Sequence, residues 1–209
     1  MKKNNALIYL ASLLALAWVP GSAPAQKQTD VALSVFGAIN NGKISSSPVT
    51  YESSSDSAGG QLEFRHISNP FLGWDVAYAY SRSDQVYTYA GPTPAGFGPQ
   101  PPTDISAYAQ EFTGNWVFST HPEKLRMFAL AGTGVLLCEP TGSASGSQSF
   151  TTPVYVYGAG LDWKTLPHFG LRVQYRGNIH KTPDLDPASY PPAGFTHTAE
   201  PAIGVYYKF

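Results

Sequence analysis

Cysteine is almost missing from this 209-residue chain. The single Cys138 leaves no intramolecular disulfide framework. With no neighbouring His or Lys to lower its pKa, it reads as a small, loosely constrained residue rather than a nucleophile. Charge is also thin: acidic and basic residues together make up 13% of the chain, and the formal net charge is −1. No long basic run exists to track a phosphate backbone, so nucleic acid is not an expected partner. The histidines, His66, His121, His168, His180 and His197, are too scattered for metal-ligand spacing. No phosphate-cradling glycine motif occurs either, so neither a metal nor a cofactor is expected. Past the N-terminus, no apolar run approaches the ~20 residues of a membrane-spanning helix.

The N-terminus itself reads as an address. Lys2 and Lys3 precede the apolar stretch Ala6 to Val19, then Pro20, Gly21 and Ala23-Pro24-Ala25 ahead of Gln26. These are the charged, apolar and small-residue regions of a secretory signal peptide, and the apolar run is too short for a membrane anchor. Residues 1–25 are therefore expected to be a signal peptide and 26–209 a single domain. No cysteine follows the cleavage point, as lipoprotein anchoring would need.

The remaining sequence is rich in Tyr, Phe, Gly and Pro. Its clearest strand is Leu171 to Lys181, where Leu171, Val173, Tyr175 and Ile179 alternate with Arg172, Gln174, Arg176, Asn178 and His180. Leu72 to Ser81 repeats the pattern, with Leu72, Trp74, Val76, Tyr78 and Tyr80 on one face. So does the C-terminus, where Ile203, Val205, Tyr207 and Phe209 oppose Glu200, Ala202, Gly204, Tyr206 and Lys208. Weaker versions occupy Val31 to Ile39, Ala58 to His66, Ile105 to Phe118, Leu125 to Leu137 and Pro153 to Trp163. Two strands resist the pattern: alternation puts Gln110 among the apolar residues of its strand, and the faces of Leu125 to Leu137 cannot be assigned. A bulge would repair either.

A soluble sandwich would alternate too, so the connections must discriminate. Long polar loops (Asn40 to Ser57, Arg82 to Asp104, Cys138 to Thr152 and Thr182 to Thr196) alternate without exception with tight turns at Asn69-Pro70, His121-Pro122 and Leu166-Pro167. Long loops at one end and short turns at the other are the asymmetry of an outer-membrane barrel. Trp74, Trp116 and Trp163 all fall near short-turn strand ends on the apolar face. With Phe209, and joined by Phe118 and Phe169, they form a predicted interfacial aromatic girdle. The expected fold is all-β: an eight-stranded antiparallel up-and-down transmembrane β-barrel in a bacterial outer membrane, with its lipids as surroundings.

Three segments carry a family resemblance: Phe128-Ala129-Leu130-Ala131-Gly132-Thr133-Gly134-Val135, Tyr157-Gly158-Ala159-Gly160-Leu161-Asp162, and the closing Val205-Tyr206-Tyr207-Lys208-Phe209. The whole chain after the signal segment resembles the small eight-stranded outer-membrane β-barrel proteins of the OmpA-like and OmpX-like kind. That resemblance implies that the last strand, ending in Phe209, is read by the barrel-insertion machinery. It also implies a structural, adhesive or protective role at the cell surface; the fold does not choose among these.

If the apolar face is outside, Glu63, Asp75, Glu111, Asp162 and Glu200 share the lumen with Arg65, Arg172, Arg176 and Lys208. In so narrow an interior they are expected to form a paired polar plug, the alternative being a gated conduit for small solutes. A different alternative is enzymatic. Some eight-stranded barrels hydrolyse acyl chains of lipid A through a His-x-Ser-Asn motif, and His66-Ile67-Ser68-Asn69 carries that string. Its place at a periplasmic turn, away from the outer leaflet that holds lipid A, argues for a non-catalytic protein. The loops, above all Tyr87 to Pro102, could bind a surface ligand that the sequence does not identify.

Overall fold

The computed structural model describes residues 28–40, 43–46, 49–68, 71–89, 103–120, 124–141, 148–183 and 194–209. The signal segment and the turns at Asn69-Pro70 and His121-Pro122 lie outside them. Ten strands run in chain order: β1 (Gln28–Asn40), β2 (Lys43–Ser46), β3 (Val49–Ser54), β4 (Ser57–Ile67), β5 (Leu72–Tyr89), β6 (Thr103–Ser119), β7 (Leu125–Pro140), β8 (Phe150–Lys164), β9 (Phe169–Lys181) and β10 (Phe195–Lys208). Eight of them close into an antiparallel barrel: β4, β5, β6, β7, β8, β9 and β10 follow each other around the wall, and β1 joins β10 to β4. The closing hydrogen bonds leave the barrel itself no free edge.

Period-two patterning becomes an inside-out protein. Along β1, Asp30, Ala32, Ser34 and Phe36 are buried, while Leu33 and Val35 are 63% and 64% exposed. Val173, Ile203, Val205 and Leu62 are likewise exposed, whereas Arg65, Arg172, Arg176, Gln61 and Asn115 are among the most deeply buried side chains. A soluble sandwich has the reverse arrangement. A continuous apolar exterior around a polar interior is stable only where lipid surrounds it.

Neither irregular strand contains a bulge. β6 pairs with β5 in one unbroken register from Leu72↔Phe118 to Tyr87↔Thr103, and β7 pairs with β6 from Ala107↔Pro140 to Ser119↔Phe128. Gln110 does face outward, where its side-chain oxygen accepts a hydrogen bond from the Tyr78 hydroxyl at 3.3 Å. β7 defeats face assignment because both its faces are apolar. Phe128, Leu130, Leu136 and Cys138 point inward and form one cluster with Val117, Val154 and Val156. Cys138 is thus a packed wall residue of β7, not part of a loop.

Two long loops are shorter than expected. β5 continues eight residues past Ser81, roughly 25 Å along the strand. The segment between β1 and β4 holds the β2–β3 hairpin, which pairs with that extension from Thr50↔Tyr89 to Ser54↔Gln85. Ser, Thr, Asp and Gln dominate there.

Candidate functional site in the barrel lumen

The short-turn half of the lumen is filled by charge whose order is set by strand register. Asp30 on β1 lies opposite Arg65 on β4, and Arg65 lies opposite Asp75 on β5. On the facing wall, Arg126 on β7 lies opposite Asp162 on β8, which lies opposite Arg172 on β9. One row reads minus, plus, minus; the other plus, minus, plus. Opposite charges on neighbouring strands attract within each row, and the complementary signs let the rows bond across the barrel.

They do so through several contacts. Arg172 donates through Nη2 to Asp30 Oδ1 at 2.9 Å and through Nε to Asp162 Oδ1 at 2.7 Å. Arg126 Nη2 reaches Asp162 Oδ2 at 2.5 Å and Asp30 Oδ2 at 3.4 Å. Arg65 Nη2 lies 3.1 Å from Asp75 Oδ2, and its Nη1 lies 3.7 Å from Asp162. Glu63 sits between the rows, 3.4 Å from Arg65 and 3.5 Å from Arg172, and accepts from Gln174 Nε2 at 3.0 Å. Asn115 donates to Asp75 at 2.7 Å. Each charge is out of water, and its cost is offset by two or more partners.

Aromatic rings complete this layer where the facing strand has no Cβ. Phe128 is opposite Gly160, and Tyr206 is opposite Gly170. A Cβ on Gly160 would fall 2.5 Å from Phe128 Cζ, and one on Gly170 would collide with the Tyr206 ring. The glycines give these rings room, and the Arg65 guanidinium lies 4.1 Å above the Phe128 centroid, a cation–π contact. Arg172 lies 5.5 Å from both Phe128 and Tyr206.

Toward the long loops the pairing thins. Arg176 donates to Glu111 Oε1 at 2.5 Å, and Asn178 donates to Glu111 Oε2 at 2.7 Å. Glu200 faces Arg176 in register yet makes no ion pair within 4.0 Å among the described residues. Above them lies a cavity of about 80 Å³.

Sequence reasoning about the lumen missed Asp30, one residue before the expected start of β1, and Arg126, whose face could not be assigned. Alternation back from Ser34 and Ala32 was the available signal for Asp30. Lys208 stands apart: it is half-buried at the barrel rim and makes no ion pair among the described residues. Trp74 and Trp116 are cross-strand partners on the outer face, and Trp163 and Phe209 are exposed at the same short-turn end. There Phe209 packs edge-on against Tyr207, which does the same with Phe169.

His66 and its neighbouring carboxylates lie on opposite sides of the sheet. His66 lies on the outer face, with Nδ1 2.8 Å from the Thr29 hydroxyl and its ring 5.8 Å from Trp74. The neighbouring carboxylates, Glu63 and Asp75, point to the other side of the sheet. A base, a nucleophile and an orienting acid must share one side to act together.

A closed barrel of eight antiparallel strands, polar within and apolar without, is the build of a protein that crosses the bacterial outer membrane on strands. Residues 11–209 match the outer membrane protein beta-barrel domain family, and the chain belongs to it. It is a bacterial outer-membrane protein.

Solved structures share the fold. Neisserial surface protein A (NspA) aligns with a TM-score of 0.58 at 16% identity, covering 87% of this chain and 97% of that one. OprG of Pseudomonas aeruginosa aligns with a TM-score of 0.57 at 11% identity, covering 90% and 99%. Ail, the attachment invasion locus protein of Yersinia pestis, solved with the heparin analogue sucrose octasulfate, gives 0.50 at 17% identity, covering 88% and 97%. No curated protein matches the chain by sequence.

Proposed function

We propose that the protein is a non-conducting, non-catalytic barrel with a structural or surface-exposed role in adhesion or protection, its lumen plugged by the charged layer. The observation that carries this reading is the pair of complementary rows, Asp30–Arg65–Asp75 and Arg126–Asp162–Arg172, bonded across the lumen. An eight-stranded interior is only wide enough for side chains, and these side chains already bond to each other. Planar-bilayer recording of the purified protein tests the plug. No stable open current is expected; a large, steady one overturns it.

The surface role draws support from β5, β6 and the β2–β3 hairpin, which offer strand surface beyond the barrel rim. NspA and Ail bear the names of surface and attachment proteins, and an exposed ligand for these strands or for Tyr87 to Pro102 fits the same architecture. Deleting Gly91 to Pro102 should reduce adhesion or serum survival without changing the heat-modifiability of the barrel. Unchanged adhesion and survival would reduce this loop to a spacer.

Insertion fits the same picture. β10 and its terminal Phe209 are the segment the insertion machinery would engage, and membrane lipids the partner of the apolar belt. The hydrolase alternative is disfavoured by the bond of His66 to Thr29 on the outer face. Lipid A from expressing cells should show by mass spectrometry no acyl loss that depends on His66.

A further inference from the structure

The cavity on the loop side of the charged layer has a mixed lining. Phe36, Leu136 and Cys138 face it from β1 and β7, and Asn178, His180 and Glu200 from β9 and β10. Its volume of about 80 Å³ leaves room for about six water-sized groups.

Its polar wall has unused acceptors. Both oxygens of Glu111 are engaged, one by Arg176 and one by Asn178. The Asn178 amide nitrogen serves Glu111 and also Glu200, which fixes the amide orientation and leaves Asn178 Oδ1 without a partner. Glu200 Oε2 has none either, although Glu200 is only 6% exposed. Glu111 and Glu200 share the single guanidinium of Arg176, so this end of the lumen holds two acids against one base. Buried polar groups almost always find partners. Arg176 keeps Nε and Nη1 without partners, yet no nitrogen of it comes within ion-pair distance of Glu200, so the open acceptors call for a cationic donor from the cavity side.

The surroundings select its type. A calcium-like ion takes six to eight oxygens with several carboxylates among them, whereas only one carboxylate here, Glu200, is free of an ion pair, and Phe36, Leu136, Cys138 and four alanines make much of the lining apolar. A primary ammonium brings three donors, and an aliphatic tail matches the apolar side. We propose that this cavity binds a small primary alkylammonium cation, its nitrogen donating to Glu200 Oε2 and Asn178 Oδ1 and its tail lying against Leu136 and Cys138.

Butylammonium is the probe, titrated calorimetrically into the full-length folded barrel in detergent micelles. The sole cysteine supplies a second readout, since an occupied cavity should slow the reaction of Cys138 with a small thiosulfonate reagent. Saturable binding is expected, with Glu200→Gln weakening it at least about tenfold while heat-modifiability on gels stays unchanged. Should that variant not fold, Ala109→Leu narrows the same cavity without removing a charge, and it should weaken binding comparably. Three results overturn the proposal: no saturable binding to the unmodified barrel, equal binding by the folded variant, or equal protection of Cys138 by potassium at matched ionic strength. The plug is judged separately, since an open current would defeat it and leave binding at Glu200 standing.

Discussion

At the short-turn end of the lumen every carboxylate touches a guanidinium, whereas toward the long loops Glu111 and Glu200 divide one arginine, and only Glu111 reaches it. The two regions use the same residue types at the same barrel width. What differs is register. Below, the strands bring opposite charges side by side in two rows that answer each other in sign. Above, Glu200 sits beside Arg176 in the sheet, but the guanidinium turns across the barrel to Glu111. Every interior carboxylate is ion-paired where the rows match, and one is left outside ion-pair distance where they do not. The first arrangement suits a plug; the second suits a pocket.

The largest test of that contrast is Arg172→Met. It strips partners from Asp30, Glu63 and Asp162 at once, leaving buried acids under-paired. Loss of a partner from such a cluster costs about 3–5 kcal/mol, so urea unfolding of the refolded barrel should shift far toward lower denaturant. A shift no larger than that of Arg176→Met would erase the distinction between the two regions.

Arg176→Met should cost less, about 2–3 kcal/mol, because Glu111 keeps Asn178 and the adjoining cavity has space for water. Gly160→Ala should follow at about 1–2 kcal/mol, since the added Cβ must displace Phe128 from beneath Arg65 and also meets the Val173 carbonyl oxygen at 2.6 Å. Near-ultraviolet circular dichroism should report the ring movement, and an unaltered spectrum would show that the glycine is not needed for packing. Smallest of all is Lys208→Gln. With no ion pair to lose, it should leave the unfolding midpoint within roughly 0.5 kcal/mol of the unmodified barrel, and a larger loss would place Lys208 in the charged layer.

Much of this is legible in the amino-acid sequence. Alternation in Leu171 to Lys181 and in the C-terminal strand assigned inward and outward faces, because period two is a local property that survives without knowledge of neighbours. Where both faces were apolar, as on β7, or both polar, as on the far part of β5, the signal vanished, and Arg126 and the β2–β3 hairpin went with it. His66 and Ser68 show the opposite case. A motif legible as a string is split in space, because the sheet places the histidine on one side and the neighbouring acids on the other.

By itself, the sequence determined that this chain makes an eight-stranded outer-membrane barrel with mixed charge inside, since side-chain alternation and loop length are written residue by residue. Only the tertiary structure decided which charge meets which. Pairing Asp30 with Arg172 joins residues 142 positions apart, and that contact depends on the stagger of strands around the closed wall, as does the glycine beneath each buried ring. The unpartnered oxygen of Glu200 follows from the same stagger, because the Arg176 guanidinium turns across the barrel to Glu111 and away from the acid beside it.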